Sequence, residues 1–258
     1  MRTHFGLNGL ISISGGLTYH ARAIRYQRSI WTPYREDLGV WLAQWQPPEK
    51  ELVILGPSAG HCFPFQIVRG FRALTLNDPD LLALRIFQKR ALAAHSELSI
   101  RFHREDLLGP GPDGRFEWSP TLKGLEQFKG KALMFSNCLG QLPYLSARKD
   151  CGFKEWKTAL SKWLSSRSES WCTYHDLYSA EAPFVVPDCE KESSAPIGLE
   201  QLRKYIPAGG PKVIEIEDHS MEEFLPGHAR RLMTWQILPK RWHLIEGIRH
   251  CSVASLKA

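Results

Sequence analysis

The chain has 258 residues, 43% hydrophobic and 23% charged, with a formal net charge of +6 and a pI of about 9.0. That size and apolar content suit one sizeable core with an attached cap, and no apolar run approaches the roughly 20 residues of a membrane span. Six singly scattered cysteines with no C-x-x-C pair argue against a zinc ribbon, and the absence of a signal-peptide pattern at the start completes the expectation of a cytoplasmic protein with reduced thiols.

The first fifty residues read as helical. Leu17, Ala21, Ile24 and Ile30 recur between arginines, Pro33 can open a second helix, and Leu38, Trp41, Leu42 and Trp45 share one face of it before Pro47-Pro48. Residues 1–48 are therefore expected to form a preface or lid, and 49–258 the main domain. The period then changes. Leu52 to Leu55 reads as a buried strand closed by Gly56, and Phe63 to Arg69 as the helix after it. Ala73 to Leu76 is a second strand, Asp80 to Ala94 a helix with Leu81, Leu84, Phe87 and Leu92 on one face, and Leu98 to Phe102 a third strand. The Gly/Pro-rich stretch after Asp106 is read as an excursion with a small hairpin. Ala132 to Phe135 and Trp171 to Tyr174 are the fourth and fifth strands, around a helix at Trp156 to Leu164. A short helix is expected near Leu199 to Tyr205, a strand in Val213 to Ser220, and an antiparallel hairpin about Pro239-Lys240.

Strands alternating with helices predict an α/β fold, a doubly wound and mostly parallel sheet, which takes its ligand at the carboxyl ends of the strands. Polar residues collect at those expected ends: Ser58, Asp78, Asp106, Asn137 and Asp176. In Gly56-Pro57-Ser58-Ala59-Gly60 the glycines permit a sharp bend with close backbone approach, and a following helix would aim free N–H groups at a ligand. Asp78 could accept two ribose hydroxyls and Asp106 an adenine amino group. The same glycines also suit a plain strand-to-helix turn, and Asp78 a helix cap.

In this order of strands and strand-end residues the chain resembles the class I S-adenosylmethionine-dependent methyltransferases, over roughly Glu51 to Asp176, as a divergent member. The resemblance implies a Rossmann-like, seven-stranded sheet with an antiparallel C-terminal hairpin and S-adenosyl-L-methionine as cofactor. It would be held by Gly56, Pro57, Ser58, Gly60, Asp78 and Asp106, with Asn137 in FSNCLGQLPY beside the transferred methyl group. Ser58 replaces the family's central glycine, Ile54 replaces its acid before the loop, and Asn-Pro-Pro-Tyr is absent.

For the acceptor, the preface offers Tyr19 and Trp31 as aromatic walls, Arg22 as a carboxylate partner and His20 as a general base. His219 is a second candidate to carry a proton. His243, Glu246 and His250 are spaced to meet on a helix but not on a strand, so no metal site is expected. The leading expectation is a methyltransferase for a small or medium-sized polar acceptor. A non-catalytic Rossmann-like binding protein and an RNA-modifying methyltransferase, the latter suggested by the basic charge, stand as alternatives.

Overall fold

A computed structural model describes residues 16–148, 151–207 and 214–252. Two helices, α1 (Gly16–Tyr26) and α2 (Thr32–Ala43), precede β1 (Glu51–Leu55). The chain continues through β2 (Ala73–Asn77), α3 (Leu81–Ala94), β3 (Ser99–His103), α4 (Trp118–Glu126), β4 (Ala132–Ser136), α5 (Phe153–Ser166) and β5 (Trp171–Ala180). A short strand β6 (Glu192–Ser193), α6 (Leu199–Leu202) and β7 (Ile216–Asp218) lead to the hairpin of β8 (Arg230–Leu238) and β9 (Arg241–His250). No helix among the described residues is long and apolar enough to cross a membrane.

The sheet runs β3-β2-β1-β4-β5-β9-β8-β6, with β7 added to the far end of β5. Neighbours among β1 to β5 are parallel, and β9 and β8 are antiparallel. The expected doubly wound sheet with a terminal hairpin is therefore present, as seven long strands and two short ones. The chain winds outward through β2 and β3, then returns to lay β4 on the other side of β1. That reversal opens a crevice at the carboxyl ends of β1 and β4.

Strands covered on both faces need apolar side chains on both. Leu52 and Ile54 of β1 and Met134 of β4 face one core with Trp31, Trp45 and Phe87, whereas Val53, Leu55, Leu133 and Phe135 face a second core with Trp156 and Trp171. The preface belongs to the first core. Trp31 is fully buried, its indole N–H donates to the Ile237 carbonyl at 3.1 Å, and Tyr34 stacks on Trp235 at 5.1 Å.

Some expectations need correction. The α-helix over Phe63 to Arg69 is a 3₁₀ segment, Phe65–Gly70, because the chain leaves the glycine loop to pack Phe63 and Phe65 on Phe87 at 5.0 and 4.9 Å. No strands form in the Gly/Pro-rich excursion; Gly111 and Arg115 close a tight turn there and α4 follows. β5 runs on to Ala180, so His175 and Asp176 lie within it, not at its end; pairing to β9 resumes after an irregularity between Asp176 and Tyr178. The strand read in Val213 to Ser220 shrinks to β7, with Val213 outside the described residues, and Leu199 to Tyr205 is one α-turn followed by 3₁₀. Ile24 and Leu81 are exposed, at 73% and 55%, while Ala23 and Leu84 take the inward positions.

Candidate functional site

The loop after β1 bends through three left-handed residues, Gly56 (φ +65), Ser58 (φ +46) and Gly60 (φ +64). A side chain at Gly56 would place its Cβ 2.3 Å from the Cβ of Cys138, so the loops after β1 and β4 are nearly in backbone contact across the switch point. Cys138 donates its thiol to the Leu55 carbonyl at 3.4 Å. Gly60 serves packing: a Cβ there would lie 2.7 Å from Phe65 and from Phe87. Pro57 is buried between them.

Asp78, just beyond β2, points at this loop. One carboxylate oxygen accepts the Ser58 N–H and the other the Asp80 N–H, each at 2.9 Å. Burial pushes its carboxyl up to about 6, against the pull of those two bonds; the carboxylates of Asp80 and Asp106 add to the rise. Asp106 is exposed and folds back to accept from Leu108 and Gly109 N–H at 3.2 and 2.9 Å. Among the described residues neither Asp78 nor Asp106 forms an ion pair. Asn137, left-handed at φ +52, donates its N–H to the Tyr174 carbonyl at 2.8 Å, and its buried Oδ1 has no partner among the described residues. Ile54 is fully buried in the core.

The residues present fit the nucleoside part of S-adenosylmethionine. An ionised carboxylate has about four lone-pair positions, and Asp78 spends one per oxygen on the backbone, so acceptor capacity remains for hydroxyls. Two unpaired carboxylates suit a cationic ligand, and the unpartnered Asn137 oxygen lies at the same crevice.

The preface residues meet the loop through histidines. His61 Nδ1 lies 3.3 Å from the Arg90 guanidinium, which can only donate, so its Nε2 carries the proton and donates to His20 Nδ1 at 3.1 Å. His20 Nε2 then bears a proton directed at Asp80, 3.7 Å away. Burial, Arg90, His20 and Arg35 together push His61 down to about 4, so it stays neutral. His20 therefore has its basic nitrogen occupied and ties α1 to the loop and to α3. Tyr19 stacks on Trp31 at 5.8 Å, while Arg22 is half-buried on α1. His219 directly follows β7, 2.9 Å from the Gly140 carbonyl and 3.2 Å from Ser179 Oγ. The structure thus gathers Gly56, Ser58, Asp78 and Asn137 at one crevice, with His20 bonded to His61 after the loop and His219 against Gly140. A cleft of about 920 Å³ between α2 and the 62–71 segment does not include any of the loop's residues 56–60.

One further pairing joins His243 to Asp176 at 2.8 Å. No local signal announces it, because the two residues are 67 apart.

No protein-family model matches this sequence, and no curated protein sequence does. Among solved structures, it is similar to the N-methyltransferase NodS from Bradyrhizobium japonicum WM9 bound to S-adenosyl-L-homocysteine, with a TM-score of 0.43 and 12% identity over 90% of this chain and 98% of that one. It is also similar to magnesium protoporphyrin IX methyltransferase from Synechocystis PCC 6803 with bound S-adenosylmethionine, at 0.40 and 12% over 92% and 86%. A 23S rRNA methyltransferase, ErmE, aligns at 0.31 and 13% over 55% and 46%. In its strand order the chain is similar to these methyltransferases.

Proposed function

We propose that the chain is an S-adenosylmethionine-dependent methyltransferase acting on a small or medium-sized polar acceptor. The observation that supports this reading most is the Ser58–Asp78 bridge at the switch point, beside the unpartnered Asn137 oxygen. Asp78 would take the ribose hydroxyls, Asp106 the adenine amino group, and Asn137 would lie toward the methyl-bearing end. When bound, the cofactor supplies a methyl group activated by a cationic sulfur. The chain's own part is to bind and orient, with α1, tied to the loop through His20 and His61, shielding the site from water. Ile54 contributes no acid, so the amino-acid end must be held by groups outside β1.

The experiment is calorimetry with S-adenosylmethionine and S-adenosylhomocysteine on the native chain and on Asp78→Ala. Binding by the native chain, weakened at least about tenfold in the variant, is expected from the loss of a charge-assisted hydrogen-bond acceptor. No heat at millimolar ligand counts against the whole reading. A second reading, a non-catalytic binding protein on this fold, is favoured by the buried Ile54 and by Cys138 packed on Gly56; methyl transfer with turnover to any acceptor removes it. An RNA acceptor, favoured by the net charge of +6, requires RNA binding that falls steeply with salt.

A further inference from the structure

Beneath the preface lies a set of groups that cofactor binding does not use. Asp176 is fully buried; its Oδ1 accepts from His243 Nδ1 at 2.8 Å and its Oδ2 from the Gln141 side-chain amide. Burial alone would raise this carboxyl, but His243, His219 and the Gln141 bond outweigh it and hold it below the usual carboxylate range. A carboxylate can only accept, so the proton of His243 sits on Nδ1 and Nε2 presents its lone pair. His61 and His219 have both ring nitrogens within hydrogen-bonding distance of protein groups. His243 Nε2 has no partner among the described residues, and its side chain keeps 11% of its exposure.

The surroundings supply a second, independent observation. Trp235 is the cross-strand partner of His243, their rings 5.7 Å apart, and Tyr34 stacks on Trp235 at 5.1 Å. The Trp235 Nε1–H and the Tyr34 hydroxyl are both buried with no partner among the described residues. A buried donor left unpaired costs about 1–3 kcal/mol. Both belong to rings packed in succession on the His243 ring, and an oxygen-bearing ligand would satisfy them. Other titratable groups near Tyr34 are Tyr19 from α1, Cys62 after the glycine loop and Tyr174 from β5, and the His219 ring lies 5.7 Å from that of His243. Burial holds the Tyr34, Tyr19, Tyr174 and Cys62 groups neutral by pushing each of them up.

Resting on the reading above, we propose that His243, oriented by Asp176, is the proton acceptor for a phenolic methyl acceptor whose oxygen is met by Trp235 and Tyr34. The O–H bond breaks and an Nε2–H bond forms; the electron pair left on oxygen would then form the bond to the methyl carbon as the methyl–sulfur bond of the donor breaks and its electron pair leaves with the sulfur. Asp176 balances the imidazolium charge until the proton passes to water. A phenol, with a pKa near 10, lies within an imidazole's reach as an aliphatic alcohol does not.

The test does not depend on turnover. The native full chain is treated with diethyl pyrocarbonate at neutral pH and its histidine peptides are followed by mass spectrometry. His243 should be acylated at least about tenfold faster than His61 or His219. Millimolar phenol should slow that reaction severalfold, and cyclohexanol should not. Nitrogen-15 spectra of histidine-labelled protein, assigned with His243→Gln, should show Nδ1 protonated and Nε2 bare. His243→Gln should bind S-adenosylhomocysteine within about twofold of native. A His243 as inert as His61, the opposite tautomer, or no protection by phenol overturns the proposal. Missing S-adenosylhomocysteine binding alongside intact His243 results overturns the methyltransferase reading instead.

Discussion

Asp78 titrates at about 6 because burial opposes its charge more than two backbone N–H groups favour it. A carboxyl raised in the folded state favours folding below the unfolded value near 4, and that contribution is lost as pH rises through 6. Asp78→Asn should therefore narrow the gap in urea midpoint between pH 4.5 and pH 7, and an unchanged gap would assign the pH dependence elsewhere. Accepting two ribose hydroxyls needs the ionised form, so S-adenosylhomocysteine and S-adenosylmethionine affinities should fall by about tenfold per pH unit below 6. Calorimetry at pH 5 and pH 7 checks this. At a second position, Glu246 joins the fully buried Arg230 at 2.6 Å, with His175 Nε2 3.4 Å away, and Arg230 also donates to the Phe224 and Leu225 carbonyls. Glu246→Gln leaves an uncompensated buried guanidinium and should cost about 3–5 kcal/mol, read from denaturant unfolding.

Between elements, the tightest approach is that of the loops after β1 and β4. Gly56→Ala adds a Cβ against Cys138 in a left-handed backbone, and should cost about 2–4 kcal/mol from strain and overpacking together. Cys138→Gly removes the clash and leaves the strain, so the double variant should recover roughly 1–2 kcal/mol of that loss. Strict additivity in the double-mutant cycle would show that the two loops do not press on each other. A similar constraint seats the preface. Gly247 of β9 leaves room for the Trp41 ring, which a Cβ would meet at 2.9 Å. The preface is thus fitted to the sheet by shape as well as by the Trp31 and Tyr34 contacts with β8 and its neighbour residues.

For the molecule as a whole, ligand binding to the folded state must raise its stability. Free S-adenosylhomocysteine at a hundred times its Kd should add about 2.7 kcal/mol, a shift of roughly 5–10 °C in Tm for a chain of this size. A flat melting temperature across that range would remove the cofactor. Much of the architecture was legible in the sequence alone. Strands β1, β2 and β4 are short apolar runs ending at Gly56, Asn77-Asp78 and Asn137, and the hairpin turns at Pro239-Lys240, whereas the cap of α3 is Asp80, which accepts from Leu82 and Ala83, and not Asp78. These are local signals: period, turn chemistry and caps act within a few residues. The 3₁₀ course of Phe65–Gly70 was decided by aromatic packing on Phe87, and the extension of β5 by pairing with β9, more than sixty residues later. The site divides in the same way. Gly56, Ser58, Asp78 and Asn137 announce themselves as strand ends, whereas the commitment of His20 to His61, the stack of Tyr34 on Trp235 and the hold of Asp176 on His243 exist only once helices and strands distant in sequence are packed in register. Local residue preferences select the elements, but which side chains share a buried space is set by long-range packing that no short window of residues contains.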